Sequence, residues 1–522
     1  MLQRVCRKLF QVTPEYVEEL KSWWAIVWPA WAQAGFMFSM DFTDAAVLGH
    51  YKGGDYLPEA SSAVLIISLT MSLIQRGPSG AVLTLSSNAY ASGQTELAGR
   101  RLQAASAMVA LICLLVSPLW FWAGDVLYAI AHTTEQRPAV VDEFGRVRLL
   151  GVFATGQATV LMQWMVGRGQ TRPGMYASMG ASILNLLFNF GFIYGIPGLI
   201  SGLGYVGSPI ATALSRWVNF LILLYWAWPE LRQCWPAGVW QSFTPTRLGD
   251  FLKLALPLTL STMLEDLNME ITGVMALKFG RQKLATHNSM LSAFLLLSTA
   301  MMGFIDGLQS RVSHHMVTGN LDGFRRVVRI SSRCMLLWSF VVMICFVSVQ
   351  DNTGKLFSSN PEVWLLSGQL SFLVGGAYFV MSFFYLSMGI LSGIAKPGVV
   401  VLGFFLGCYV LGLPVAYLLG FEMDPHKLDF WPYFDPDTAS GQEPTGCGIL
   451  GLWMGLATGY LVTTIVAMSR LLCIKDWSVE VAKARALAEL EPTTSQPAAS
   501  MTTGLMDDGP PGSSDCQQAQ HG

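Results

Sequence analysis

Two groups of carboxylates in apolar stretches are the residues of this 522-residue chain best suited to chemistry. Asp41 and Asp44 stand three apart, so they share one face of a helix. Glu265, Asp266 and Glu270 form the second group. Asp266 and Glu270 share a face, whereas Glu265 and Glu270 lie about 140° apart at 3.6 residues per turn. An ionisable side chain inside a membrane is costly and marks function by default. A buried carboxylate without a fixed cation holds its proton more tightly than in water. It can load a proton on one side and release it on the other, or pair with a cationic substrate. Competition of proton and cation for one carboxylate is the simplest coupling for an antiporter. The plainer reading is a fixed ion pair: Arg76 as counter-ion of Asp41 or Asp44, and Arg311 as that of Asp306. The fixed pair is the preferred reading for Asp41, Asp266 and Asp306.

Other polar groups extend this picture. Asn185 and Asn189 are four apart on one helix face, either lining a cavity or joining two helices by a hydrogen bond. A sodium ion would need several converging oxygens, for which Asp44, Thr43 and Asn185 are candidates. His287, His314 and His315 fall near span ends and read as packing or capping residues. Tyr378, Phe383, Phe384 and Tyr385 could form an aromatic wall for an organic cation, although such runs more often pack or face lipid. The nine Cys are scattered singly, which supports neither a zinc site nor a disulfide framework. With no paired His motif, nucleophile setting or phosphate loop in the spans, an enzyme is not expected. Nor is a resident cofactor; the coupling ion is a proton or sodium.

These residues must be positioned by membrane helices. The chain is 52% hydrophobic and only 13% charged, against about 25% charged in soluble domains. It cannot cover itself with a polar surface, so lipid is its natural solvent. The net charge of −2, with no basic stripe, excludes nucleic acid as a partner. At about 20 apolar residues per crossing, spans fall roughly at 22–48, 60–90, 104–132, 147–167, 175–196, 207–228, 251–277, 285–315, 328–350, 365–392, 397–420 and 447–473. The expected fold is an all-α polytopic membrane protein of twelve helices in two six-helix bundles, 22–228 and 251–475. Residues 1–21 form a cytoplasmic amphipathic lead-in, 229–250 a cytoplasmic linker, and 476–522 a cytoplasmic tail, disordered from Pro492. With both termini cytoplasmic, about 20 Lys/Arg lie inside and about 9 outside. The acidic loop 421–446 then falls outside.

An internal repeat underlies the two bundles. Gly80–Arg101 resembles Gly307–Arg326, Pro29 matches Pro257, and Pro173 matches Pro397, all displaced by about 225 residues. Six helices per half give both halves one orientation, with a pseudo-two-fold axis along the membrane normal. Each half thus opens with a proline-bearing helix that buries carboxylates.

Several segments resemble the multidrug and toxic compound extrusion (MATE) transporters. They are GPSGAVLTLSSNAYASGQTELAGRRLQ at 77–103, GYVGSPIATALSRW at 204–217, LEDLNMEITG at 264–273, SRVSHHMVTGNLDGFRR at 310–326, GILSGIAKPG at 389–398, YVLGLP at 409–414 and GILGLWMG at 448–455. The resemblance runs from about residue 22 to 475 and implies two bundles forming a V around a cavity that opens alternately to either side. It implies efflux of organic cations driven by proton or sodium entry. Asp44, in DAAVLGH, matches the Asp that prokaryotic members carry five residues before a Gly. Their Asn and acidic residue, four apart in the fifth helix, become Asn185 and Asn189 here, so the acid is missing. Glu265 and Glu270 match the two Glu of eukaryotic members, and Met381 replaces a further Glu in the tenth helix. The resulting expectation is a monomeric exporter of organic cations in a plasma or vacuolar-type membrane. Competing readings are a lipid-linked saccharide flippase, an organic-anion exporter that would use Arg76 as a ligand, and a non-transporting scaffold.

Overall fold

A computed structural model describes residues 13–54, 56–126, 138–196, 198, 200–235, 243–356, 361–423 and 447–489. The first helix, α1 (Pro14–His50), starts where Thr13 caps it: the Thr13 hydroxyl accepts the Tyr16 N–H, and proline occupies the first turn, where its missing N–H costs nothing. At 37 residues it rises about 55 Å, longer than a bilayer core. The next rod is broken. Helix α2 (Leu57–Gln75) stops at Arg76, and Gly77-Pro78 opens α3 (Gly77–Ala91). Helix α4 (Thr95–Phe121) follows, then a rod bent by 45° between α5 (Pro138–Leu149) and α6 (Val152–Gly167). Helix α7 (Arg172–Tyr194) leads through a small antiparallel hairpin, Gly195–Ile196 with Ile200–Ser201, into α8 (Gly207–Cys234).

The second half contains α9 (Pro245–Leu277), α10 (Arg281–Thr318), α11 (Leu321–Ser348), α12 (Pro361–Gly393), α13 (Gly398–Glu422, with π-helical turns at Phe405–Gly412 and Leu418–Glu422) and α14 (Gly448–Leu472). A further helix, α15 (Trp477–Glu489), heads the segment expected to be a tail. Among the described residues, eight helices are long and apolar enough to cross a membrane, and the bent α5–α6 pair makes a ninth. Three further rods, α1, α2–α3 and α9, carry Asp41, Asp44, Arg76, Glu265, Asp266 and Glu270. With them the rods number twelve, as expected. The acidic loop, the N-terminal lead-in and the stretch from Pro492 lie wholly or mostly outside the described residues.

The two halves repeat one another down to their turns. Helices α3 and α10 end on Gly93 (φ 76°) and Gly319 (φ 73°), 226 residues apart, and both close with the same pair of backbone bonds. The left-handed backbone there needs glycine. The turns after α6 and α12 likewise match, but the first uses Gly169 (φ 77°) and the second Ala395 (φ 59°).

Each half has its own apolar core, and each core borrows from the other half. Trp23 and Val27 of α1 are buried in the second-half core, whereas Phe251 and Ala255 of α9 are buried in the first-half core. The two pairs are related by a displacement of 228. The same symmetry shapes the seam. A Cβ on Gly77 would stand 2.7 Å from the Ala255 carbonyl, and one on Gly303 2.7 Å from the Val27 carbonyl. Thr84 donates to the Ser392 carbonyl (3.2 Å), and Ser310 donates to the Val166 carbonyl (3.3 Å). These contacts involve the ends of α1, α3, α9 and α10 on the side where the described chain begins and ends. There the halves are sealed.

Candidate functional site

At the sealed side, Glu19 precedes the first expected span and is buried between the halves. Arg311 grips it with two parallel bonds (Nε to Oε1 2.8 Å, Nη2 to Oε2 2.7 Å), and His315 Nε2 lies 3.1 Å from Oε2. Burial opposes the Glu19 charge, but the bonds and charges of His315 and Arg311 outweigh it and bring the carboxyl down to about 2. Arg311 is therefore not the counter-ion of Asp306, which instead accepts from Gln163 at 3.2 Å. An arginine reaches the nearest buried acid in space, and that acid lies across the seam. Helix α15 adds a strap. Its Arg485 donates to the Val317 and Thr318 carbonyls (3.0 and 3.1 Å), its Glu480 pairs with Lys396 (2.6 Å), and it also lies against α3. For Glu480, burial opposes the charge, while Lys396 and Lys483 hold the carboxyl below its ordinary range.

Beyond the seam, the first-half carboxylates are enclosed by four helices. Asp44 Oδ1 accepts from Asn185 Nδ2 (3.1 Å) and Asn189 Nδ2 (2.9 Å); Oδ2 accepts from Arg148 Nη1 (3.3 Å) and from the Thr212 hydroxyl. Arg148 Nη2 also reaches Asp41 at 3.1 Å, and Arg216 Nη2 reaches the same Asp41 oxygen at 3.3 Å. Arg76 is not the partner of Asp41 or Asp44: it sits at the α2–α3 break, and its Nη1 donates to Met302 Sδ at 3.4 Å. The break directs Arg76 toward the other half, while the last turn of α5 delivers Arg148 instead. Thr212, rather than Thr43, supplies the hydroxyl. Asn185 and Asn189 both serve Asp44, and their own Oδ1 atoms are buried without a hydrogen-bond partner among the described residues.

The second-half acids are held differently. Glu265 accepts from two hydroxyls, Tyr385 (3.2 Å) on α12 and Tyr460 (2.9 Å) on α14. Asp266 accepts from Ser72 across the seam. Glu270 makes no hydrogen bond or ion pair among the described residues. Of the expected aromatic wall, Tyr378 and Phe384 are fully buried core residues. Tyr378 donates to the Leu297 carbonyl at 2.8 Å and accepts from Trp338 Nε1 at 3.1 Å, so its polar end faces protein. Met381 is equally buried in that core and is not among the residues lining the cavity between the two carboxylate clusters. Close packing of α12 against its neighbours turns this run inward.

A cavity of about 270 Å³ lies between the clusters, lined among others by Asp41, Arg76, Arg148, Thr212, Arg216 and Asp266. Asp41 and Asp266 thus share a space, whereas Asp44, Glu265 and Glu270 are not among its lining residues. Arg148, Arg216, Thr212, Tyr460, Ser72 and Glu19 are site residues that sequence reading passes over. Arg216 carried a signal, an arginine inside an apolar run. Arg148 stands at the edge of the expected span 147–167, where a charge carries no such signal.

The geometry has counterparts among known proteins. The MatE family profile matches residues 29–190 and 257–418, two segments that begin on Pro29 and Pro257 and keep a displacement of 228 at both ends. "Multidrug and toxin extrusion protein 1" of Mus musculus is 22% identical over 422 residues, covering 80% of this chain and 72% of that protein. "Protein DETOXIFICATION 18" of Arabidopsis thaliana is 24% identical, covering 68% of this chain and 75% of that protein. The crystal structure of the eukaryotic MATE transporter AtDTX14 superposes with a TM-score of 0.77 at 20% identity, covering 91% of this chain and 99% of that one. An outward-facing MATE family transporter of the MOP superfamily superposes with a TM-score of 0.70 at 18% identity, covering 90% and 97%.

Proposed function

The chain belongs to the MatE family, a multi-pass membrane transporter rather than an enzyme, and from that premise we propose that it exports organic cations in exchange for protons or sodium ions by alternating access. The observation that carries this reading is on α9. Glu265 is held by two tyrosine hydroxyls with no cation bonded to it, and Glu270 has no partner among the described residues. Such carboxylates are free to take a proton, a sodium ion or a cationic substrate in turn, which is what exchange requires. The sealed seam on one side and a cavity beyond it fit one of two alternating states. With both termini cytoplasmic, as the Lys/Arg distribution favours, that state is closed inward. A plasma or vacuolar-type membrane and a monomer complete the proposal.

The test is efflux of a monovalent organic cation from proteoliposomes under an imposed pH or sodium gradient. Glu265→Gln and Glu270→Gln should each lower the gradient-driven rate by about tenfold or more, the range for one charge-assisted contact. Full activity in both variants sinks the reading. A second reading, export of an organic anion, is favoured by Arg76, Arg148 and Arg216 lining one cavity. It predicts that a carboxylate of similar size competes with transport and that Arg76→Gln abolishes the competition.

A further inference from the structure

We infer that Arg148 is the resident cation of the first-half carboxylates, so that this half carries no exchangeable cation and coupling falls to α9. The inference rests on the exchange reading above. An ionised carboxylate offers about four lone-pair directions. Asp44 uses all of them, two bonds on each oxygen: Asn185 and Asn189 on Oδ1, Arg148 and Thr212 on Oδ2. The Arg148 fork spans both acids, and Arg216 completes the neutralisation on Asp41. Two carboxylates and two guanidiniums thus balance. The side chains of Asp44, Arg148 and Arg216 are 8%, 12% and 11% exposed, whereas Asp41, on the cavity wall, is 54% exposed. A guanidinium tethered to the chain and shared by two carboxylates is not readily exchanged for an ion from solution.

A second observation shows what the pocket would do without it. The amide oxygens of Asn185 and Asn189, whose Nδ2 groups hold the same carboxylate, are buried and unpaired among the described residues. With the guanidinium removed, the Asp44 carboxylate and the Thr212 hydroxyl keep oxygens of the type hard cations take, and Asn185 and Asn189, which now present Nδ2 to Asp44, add theirs once their amides turn over. The contrast with α9 is direct, since no guanidinium is bonded to Glu265 or Glu270 among the described residues.

The experiment is thermal unfolding of the purified full-length protein in sodium chloride against equal choline chloride. The variants are Asp44→Asn, Arg148→Gln, Arg148→Lys and the double variant Asp44→Asn/Arg148→Gln. Wild type and Arg148→Lys should show no sodium-specific shift that depends on Asp44. Arg148→Gln should gain a rise of several degrees, and the double variant should lose it. An Asp44-dependent sodium shift in wild type overturns the inference, as does a folded Arg148→Gln protein without one. Should Arg148→Gln alone not fold, the charge-neutral double variant decides. Its ion-to-substrate stoichiometry, read from the reversal point in proteoliposomes, should equal that of wild type, and a lower value overturns the inference. The melting shifts need no transport, so failure of the exchange reading leaves them readable.

Discussion

Glu19 illustrates how a single residue can be made insensitive to its surroundings. Its carboxyl is held at about 2 against an ordinary value of 4.5. A depressed value means that the stabilisation is complete above about 4.5 and is lost as pH falls toward about 2. The Glu19 carboxylate itself therefore stays ionised at neutral pH. Melting temperatures of wild type should fall more steeply between pH 4.5 and pH 2.5 than those of Glu19→Gln. Equal slopes at low pH would refute the assignment. Single residues were also where the sequence was least legible. Asp44, Asn185 and Asn189 were readable because short side chains on one helix face must meet a neighbouring helix. Arg148 was not, because a long side chain at the end of α5 reaches over to α1, and spacing along the chain does not encode that reach. Arg76 was misplaced for the same reason.

At the level of elements, the sequence told more. Gly77 and Pro78 stand at the α2–α3 break, and apolar runs located the spans, since both follow from local backbone chemistry. The docking of α15 was hidden, because its attachment depends on carbonyls at the end of α10 rather than on its own pattern. The two equivalent turns after α6 and α12 offer a clean comparison. Gly169 takes the left-handed conformation freely, whereas Ala395 adopts it at φ 59°. That conformation costs a residue with a Cβ about 1 kcal/mol. Ala395→Gly should therefore raise stability by about 1 kcal/mol, read as a higher unfolding midpoint, whereas Gly169→Ala should lower it by a similar amount. A destabilised Ala395→Gly protein would show that the turn is not strained.

For the molecule as a whole, a symmetric frame carries asymmetric chemistry. The seam contacts repeat at 226 to 228 residues, yet the position 228 after Asp44 is Thr272, and the one 228 before Glu265 is Met37. The frame was legible from the repeat; the division of labour was not, because it resides in which charges meet in space. Reciprocal burial of Trp23 and Val27 in one core, and of Phe251 and Ala255 in the other, has a consequence for assembly. Neither half is a self-sufficient folding unit, because each completes its interior with a piece of its twin. Cut between residues 236 and 242, the two fragments should remain insoluble or be degraded when produced singly, and should co-purify as a stoichiometric, transport-competent pair when produced together. Recovery of either fragment alone as a folded species would contradict this. The same reciprocity is the geometry of a two-fold dimer of six-helix chains interlocked by their first helices, here carried by one polypeptide.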